Sequence, residues 1–217
     1  MRMIFNVGAV VMCLGWVGSV QALNFFELET YPATTEGQGL HEFENLTTFV
    51  ANGRAKSQDD EDEGRRHRLV RTSLEYNYGL TDKIDAAMYL DFERANGQDP
   101  EYAGSRYRFR GALFDKGRFP VDLGWYVEAE VPHKGAAQLE LEFRPIVSTD
   151  LGRFSFDINP SFELPTIADE RRTLEFSYAA RVVYRLSERL MPAVEFYGGI
   201  GQIRDVDPSQ GQIAFST

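Results

Sequence analysis

Sulfur chemistry is almost absent from this chain, whose one cysteine is Cys13 and whose histidines number only 3. Cys13 lies inside a segment that reads as a leader. Met1 to Ala22 has a basic start at Arg2, an apolar run, and small residues before Val20-Gln21-Ala22, the pattern of a secretory signal cleaved after Ala22. Its apolar core falls short of the roughly 20 residues that a permanent spanning helix needs. Met12 stands before Cys13, where lipid attachment would want a small residue. A chain cleaved after Ala22 has no cysteine, which excludes disulfides and thiol chemistry and leaves packing and strand pairing to hold the fold.

Other absences narrow the function. Basic residues are in deficit, 23 against 33 acidic ones for a net charge of −10, which disfavours binding to a nucleic-acid backbone. A phosphate-cradling glycine loop is missing: Gly198-Gly199-Ile200-Gly201 lies in an apolar strand pattern and precedes no helix, so these glycines fit tight curvature or close strand contact. No Pro/Gly/Ser-rich linker divides the chain after residue 22, and no helical stripe of useful length occurs there. The expected organisation is a leader over 1–22, an N-terminal periplasmic arm over 23–39 and one β domain over 40–217.

What the chain does have is alternation. Val70, Thr72, Leu74, Tyr76 and Tyr78 alternate with Arg71, Ser73, Glu75 and Asn77; Leu123, Trp125, Val127, Ala129 and Val131 alternate with Asp122, Tyr126, Glu128 and Glu130. Strand side chains point to opposite faces with period two, so each such segment has an apolar face and a charged one. Nine segments carry the pattern: 40–52, 67–79, 84–94, 103–114, 121–131, 137–147, 154–165, 172–186 and 191–203. A tenth has only Gln212 to Thr217, unless Asn24 to Tyr31 supplies a strand. Single-chain barrels have even strand numbers, and the chain lacks the terminal aromatic that such barrels carry, so a C-terminal truncation is expected.

Alternation alone also builds soluble sandwiches. The connections point to a membrane. Short links near 79–84, 115–121, 148–153 and 186–191 take turns with longer or more polar ones near 53–66, 94–104, 132–136, 165–172 and 204–210, as periplasmic turns and outer loops do in outer-membrane barrels. Tyr76, Tyr78, Phe92, Trp125, Phe154, Tyr184 and Phe196 fall toward segment ends, where interfacial girdles lie.

The pieces Leu40-His41-Glu42-Phe43-Glu44, Glu75-Tyr76-Asn77-Tyr78-Gly79-Leu80-Thr81-Asp82, Tyr126-Val127-Glu128-Ala129-Glu130 and Tyr178 to Ser187 resemble the phenol-degradation meta-pathway family of outer-membrane β-barrel proteins, loosely described as transporters. The likeness implies an all-β, antiparallel transmembrane β-barrel of about 10–12 strands. It supplies no catalytic residues.

The charged face holds the candidate lumen-lining residues: the acids Glu75, Asp91, Glu93, Glu128, Glu130, Glu140, Glu142, Glu175 and Glu195, and the bases Arg106, Arg108, Arg110, Arg144 and Arg181. Arg106, Arg108 and Arg110 sit on one segment between two acidic ones, so a cross-strand ladder with Asp91, Glu93, Glu128 and Glu130 follows from neighbour pairing. Such a ladder either fills a narrow barrel or lines a charge-selective path.

Elsewhere the chemistry is sparse. Asp59 to Glu63, followed by Arg65, Arg66, His67 and Arg68, reads as a solvated loop that could meet lipopolysaccharide. His41, His67 and His133 show no Ser/Asp partner pattern, and alternate acids such as Glu128 and Glu130 follow from the strand period without implying acid/base work. Neither cofactor, metal nor enzymatic activity is expected. The expected function is a passive channel or transport component for an unidentified small solute, with outer-membrane lipid, lipopolysaccharide and the barrel-assembly machinery as partners. A soluble periplasmic binding protein and a barrel-borne surface hydrolase are the alternatives.

Overall fold

A computed structural model describes the backbone of residues 3–5, 10–13, 29–50, 68–133, 139–165, 174–187, 190–202 and 212–216. The acidic run, Arg65 to His67 and most of residues 1–22 lie outside the described residues. Twelve strands follow in chain order: β1 (Met3–Phe5), β2 (Val10–Cys13), β3 (His41–Val50), β4 (Leu69–Thr81), β5 (Ile84–Arg94), β6 (Glu101–Ala112), β7 (Asp122–Pro132), β8 (Glu140–Leu151), β9 (Phe154–Pro165), β10 (Glu175–Tyr184), β11 (Ala193–Gln202) and β12 (Gln212–Ser216). No helix occurs among the described residues.

The nine strands β3 to β11 form a continuous antiparallel meander in which each pairs with the next, and the sheet curls as a half-barrel. Every one of the nine segments read from alternation is a strand, with ends displaced by at most a few residues. β3 and β11 do not pair with each other. Between them β12 runs antiparallel to β11, and β2 pairs antiparallel with β12 and parallel with β3 over two residues on each side. β1 pairs with β3 in the same parallel sense.

Register follows the hydrophobic pattern, because a slip of one residue would exchange the faces. The convex face carries Phe43, Leu74, Met88, Phe109, Val127, Phe143, Ile158 and Phe196, all well exposed. The concave face carries Asn77, Asp85, Asp91, Arg106, Arg108, Glu128, Asn159 and Glu195, all buried. This is the reverse of a water-soluble sheet protein, whose charged face meets water.

Two glycines on the convex face sit beneath aromatic rings. Gly111 is paired with Trp125 and Gly198 with Tyr178, and a Cβ on either glycine would run into the partner ring. Each ring covers backbone that a glycine leaves bare, a device that pins register in curved sheets. The β8–β9 ladder is broken between Phe143↔Phe162 and Val147↔Ile158, where Pro145 and Pro160 fall. Proline has no N–H for a rung, so the break is expected there.

A charged interior with a docked arm

The sheet brings all of the sequence-predicted residues to one face. Glu75, Asp91, Arg106, Arg108, Arg110, Glu128, Glu142, Arg144 and Glu195 are buried, and Glu93, Glu130, Glu140, Glu175 and Arg181 are half-buried on the same side. On β6 Arg106, Arg108 and Arg110 alternate along the inner face, with acids on β4, β5 and β7 around them. Arg106 Nε lies 2.9 Å from Asp91 Oδ2, and its Nη1 lies 3.5 Å from Glu128 Oε1. Arg110 Nη2 donates to Asp85 Oδ2 at 2.7 Å. Arg108 reaches past its neighbouring strand to Glu75 on β4 at 2.8 Å, with Asp85 at 3.7 Å.

The ladder is thus present, with some different partners. Glu93 stands opposite Arg71 and pairs with it at 3.4 Å, too far along β5 to serve the triple. Asp85 takes two of the three arginines, a role that the sequence reading did not single out. A second group spans β8 to β11: Arg144 makes a two-pronged pair with Glu142, while Arg181 meets Asp157 at 2.9 Å and Glu195 at 4.0 Å. Toward the loop end, Glu128, Glu130, Glu140, Glu142 and Glu163 line a small open pocket. No cluster with the makings of a metal site occurs among the described residues.

The arm is the part that sequence reasoning did not place. Residues 29–39 run inside the curve of the sheet, and the described part of the candidate strand Asn24 to Tyr31 makes no ladder with any neighbour. Tyr31 donates its backbone N–H to Asn159 Oδ1 at 2.6 Å and accepts from Asn159 Nδ2 at 2.9 Å, so one side-chain amide imitates a rung beside the proline break. The Ala33 N–H donates to Ser148 Oγ, and the Glu36 N–H to Asp85 Oδ2. Near the short-turn end, the Gly39 N–H donates to the Gly79 carbonyl, and the Gly79 N–H to the Leu40 carbonyl.

The Tyr31 ring is caged. It lies 4.9 Å from the Tyr126 ring, and the guanidinium carbons of Arg108, Arg110 and Arg144 stand 5.1, 5.4 and 5.8 Å from its centroid. Its hydroxyl donates to Glu29 and sits 3.2 Å from the Tyr89 hydroxyl. Tyr31 and Ala33 join Tyr126 and Ile146 in the one buried apolar cluster inside this otherwise charged space, among the described residues. Burial, then the neighbouring Glu42 carboxylate, hold the Glu36 carboxyl above the usual carboxylate range.

Of the histidines, His41 shares a 2.7 Å hydrogen bond with the Tyr76 hydroxyl, and the His133 ring lies tilted against Tyr102 at 4.9 Å. The chain matches no family model, and neither a curated protein nor a solved structure matches it.

Proposed function

We propose that this chain is an outer-membrane β-barrel that serves as a passive channel or transport component for small solutes. The observation that carries the reading is the inverted distribution of side chains. A belt of Phe, Leu, Val, Ile and Tyr faces outward at exposures near 40–50%, while arginines and carboxylates are buried within. In water that belt would be a large contiguous apolar patch. Against hydrocarbon it is the favourable surface, and every backbone group of a paired strand is satisfied without water.

The leader, the alternation of link lengths and the family resemblance support the same reading. In this orientation the turns at Asp82-Lys83 and Gly152-Arg153 face the periplasm, and the opposite ends of the strands face outward, within reach of lipopolysaccharide. Assembly machinery would receive the chain, and no cofactor is required. A soluble periplasmic protein has no use for so wide an apolar exterior, and nothing in the interior favours it.

The test is membrane fractionation with electrophoresis of unheated and heated samples. A chain that stays with the outer membrane after carbonate washing, and migrates differently unheated, supports the barrel. A carbonate-soluble chain with one mobility overturns it.

A further inference from the structure

We infer that residues 29–39 are a displaceable plug, latched by Tyr31, whose departure opens the path through the barrel. The inference rests on the channel reading above and adds its gate. Three independent features point to a built docking track rather than to a strand end left inside. The wall has glycine where the arm passes: a Cβ on Gly79 would meet the Gly37 backbone, and one on Gly124 would lie 3.3 Å from Ala33 Cα. The wall interrupts its own β8–β9 ladder beside Asn159, whose amide then serves the arm backbone with both of its groups. The interior also gives up charge where the arm docks, setting Tyr126 and Ile146 against Tyr31 and Ala33.

The latch is suited to release. Arg108, Arg110 and Arg144 already have carboxylate partners in Glu75, Asp85 and Glu142, so they offer Tyr31 a cation–π face without needing it for neutrality. When the arm leaves, the ion pairs remain closed and no guanidinium is orphaned. The arm is tethered at Gly39-Leu40 by the backbone bonds to Gly79, which form a hinge at the short-turn end. Gly39 itself has a φ of 74°, a conformation that glycine adopts freely. Withdrawal vacates a passage one extended chain wide, roughly 5–10 Å.

The experiment uses the chain with Cys13→Ala, which removes its one cysteine and gives a clean background, in planar bilayers. Ala33 and Ser148 are joined by a hydrogen bond of 2.8 Å, so Ala33→Cys with Ser148→Cys is the lock. Brief openings are expected from the parent protein. In the oxidised double variant they vanish, and dithiothreitol restores them. Tyr31→Ala raises the open fraction about tenfold, the worth of one aromatic anchor at about 1.4 kcal/mol per factor of ten. Tyr31→Phe, which keeps the ring, stays near the parent value. Heat-modifiable, membrane-inserted protein whose current is the same oxidised, reduced and in Tyr31→Ala, whether conducting or silent, overturns the plug and leaves the barrel standing. Protein that neither inserts nor shows heat-modifiability overturns the barrel, and the plug with it.

Discussion

Arg108 is the interior residue on which most depends. Its side chain is 2% exposed, and its guanidinium pairs with Glu75 and Asp85 and borders both Tyr31 and Tyr89. Breaking a buried pair from one side leaves an uncompensated charge, which costs more than the pair itself contributes. Arg108→Ala should therefore destabilise the barrel by about 3 kcal/mol, the low end of the buried range because water can enter a lumen. Arg108→Met with Glu75→Leu should recover most of that loss. Urea titration in detergent, read by the fraction of heat-modifiable band, measures both. Equal stability of the single and double variants would mean that the pair is hydrated and contributes nothing.

Among the elements, the arm should respond to protons and the strands to depth in the membrane. Glu36 faces Glu42, Asp85 and Arg110, and its carboxyl is raised when the arm is docked. A raised acid favours the protonated form, so docking is strained while pH lies above the docked value. That strain is gone once pH has fallen below the ordinary carboxylate value. Open fraction should thus decrease as pH falls through the acid range, and Glu36→Gln should flatten that slope; an equally steep slope in the variant would assign it to other carboxylates. Depth is tested on the convex face. Val127 is the middle residue of β7, where an arginine costs about 2–4 kcal/mol, whereas Leu141 lies one residue from the loop end of β8, where about 0–1 kcal/mol is expected. Val127→Arg should block assembly, Leu141→Arg should weaken it and Glu140→Gln should leave it intact, judged by yield of folded protein in the membrane fraction. Indifference to position would remove the lipid-facing assignment.

The strands were legible because alternation is local and the face it defines is continuous from β3 to β11. Even the arginine ladder could be read, since neighbouring strands of opposite charge must meet. The Arg108–Glu75 pair could not, because it skips a strand and depends on how tightly the sheet curls. The arm could not either: its key contact joins residues 128 apart in sequence, and Tyr31-Pro32-Ala33 has no period to betray an inward path. Pro145 and Pro160, each inside a strand pattern, were the available signal that a rung was free nearby.

For the whole molecule, orientation is the open variable. An epitope inserted near Asp60 should bind antibody on intact cells, and one near Gly152, in the turn between β8 and β9, should bind only after permeabilisation. The reverse labelling would invert the barrel and place the arm's hinge at the cell surface. The pairing of Trp125 with Gly111 has a use beyond register. The sequence has 2 tryptophans, and the other, Trp16, precedes Ala22, so a chain cleaved after Ala22 would keep a single indole, fixed against the outer wall near the short-turn end. Its emission is a built-in depth gauge: brominated acyl chains should quench it in proportion to how close the bromine lies to the periplasmic leaflet interface, and a soluble quencher should hardly reach it. Quenching by iodide as strong as in the unfolded chain would show that this wall faces water.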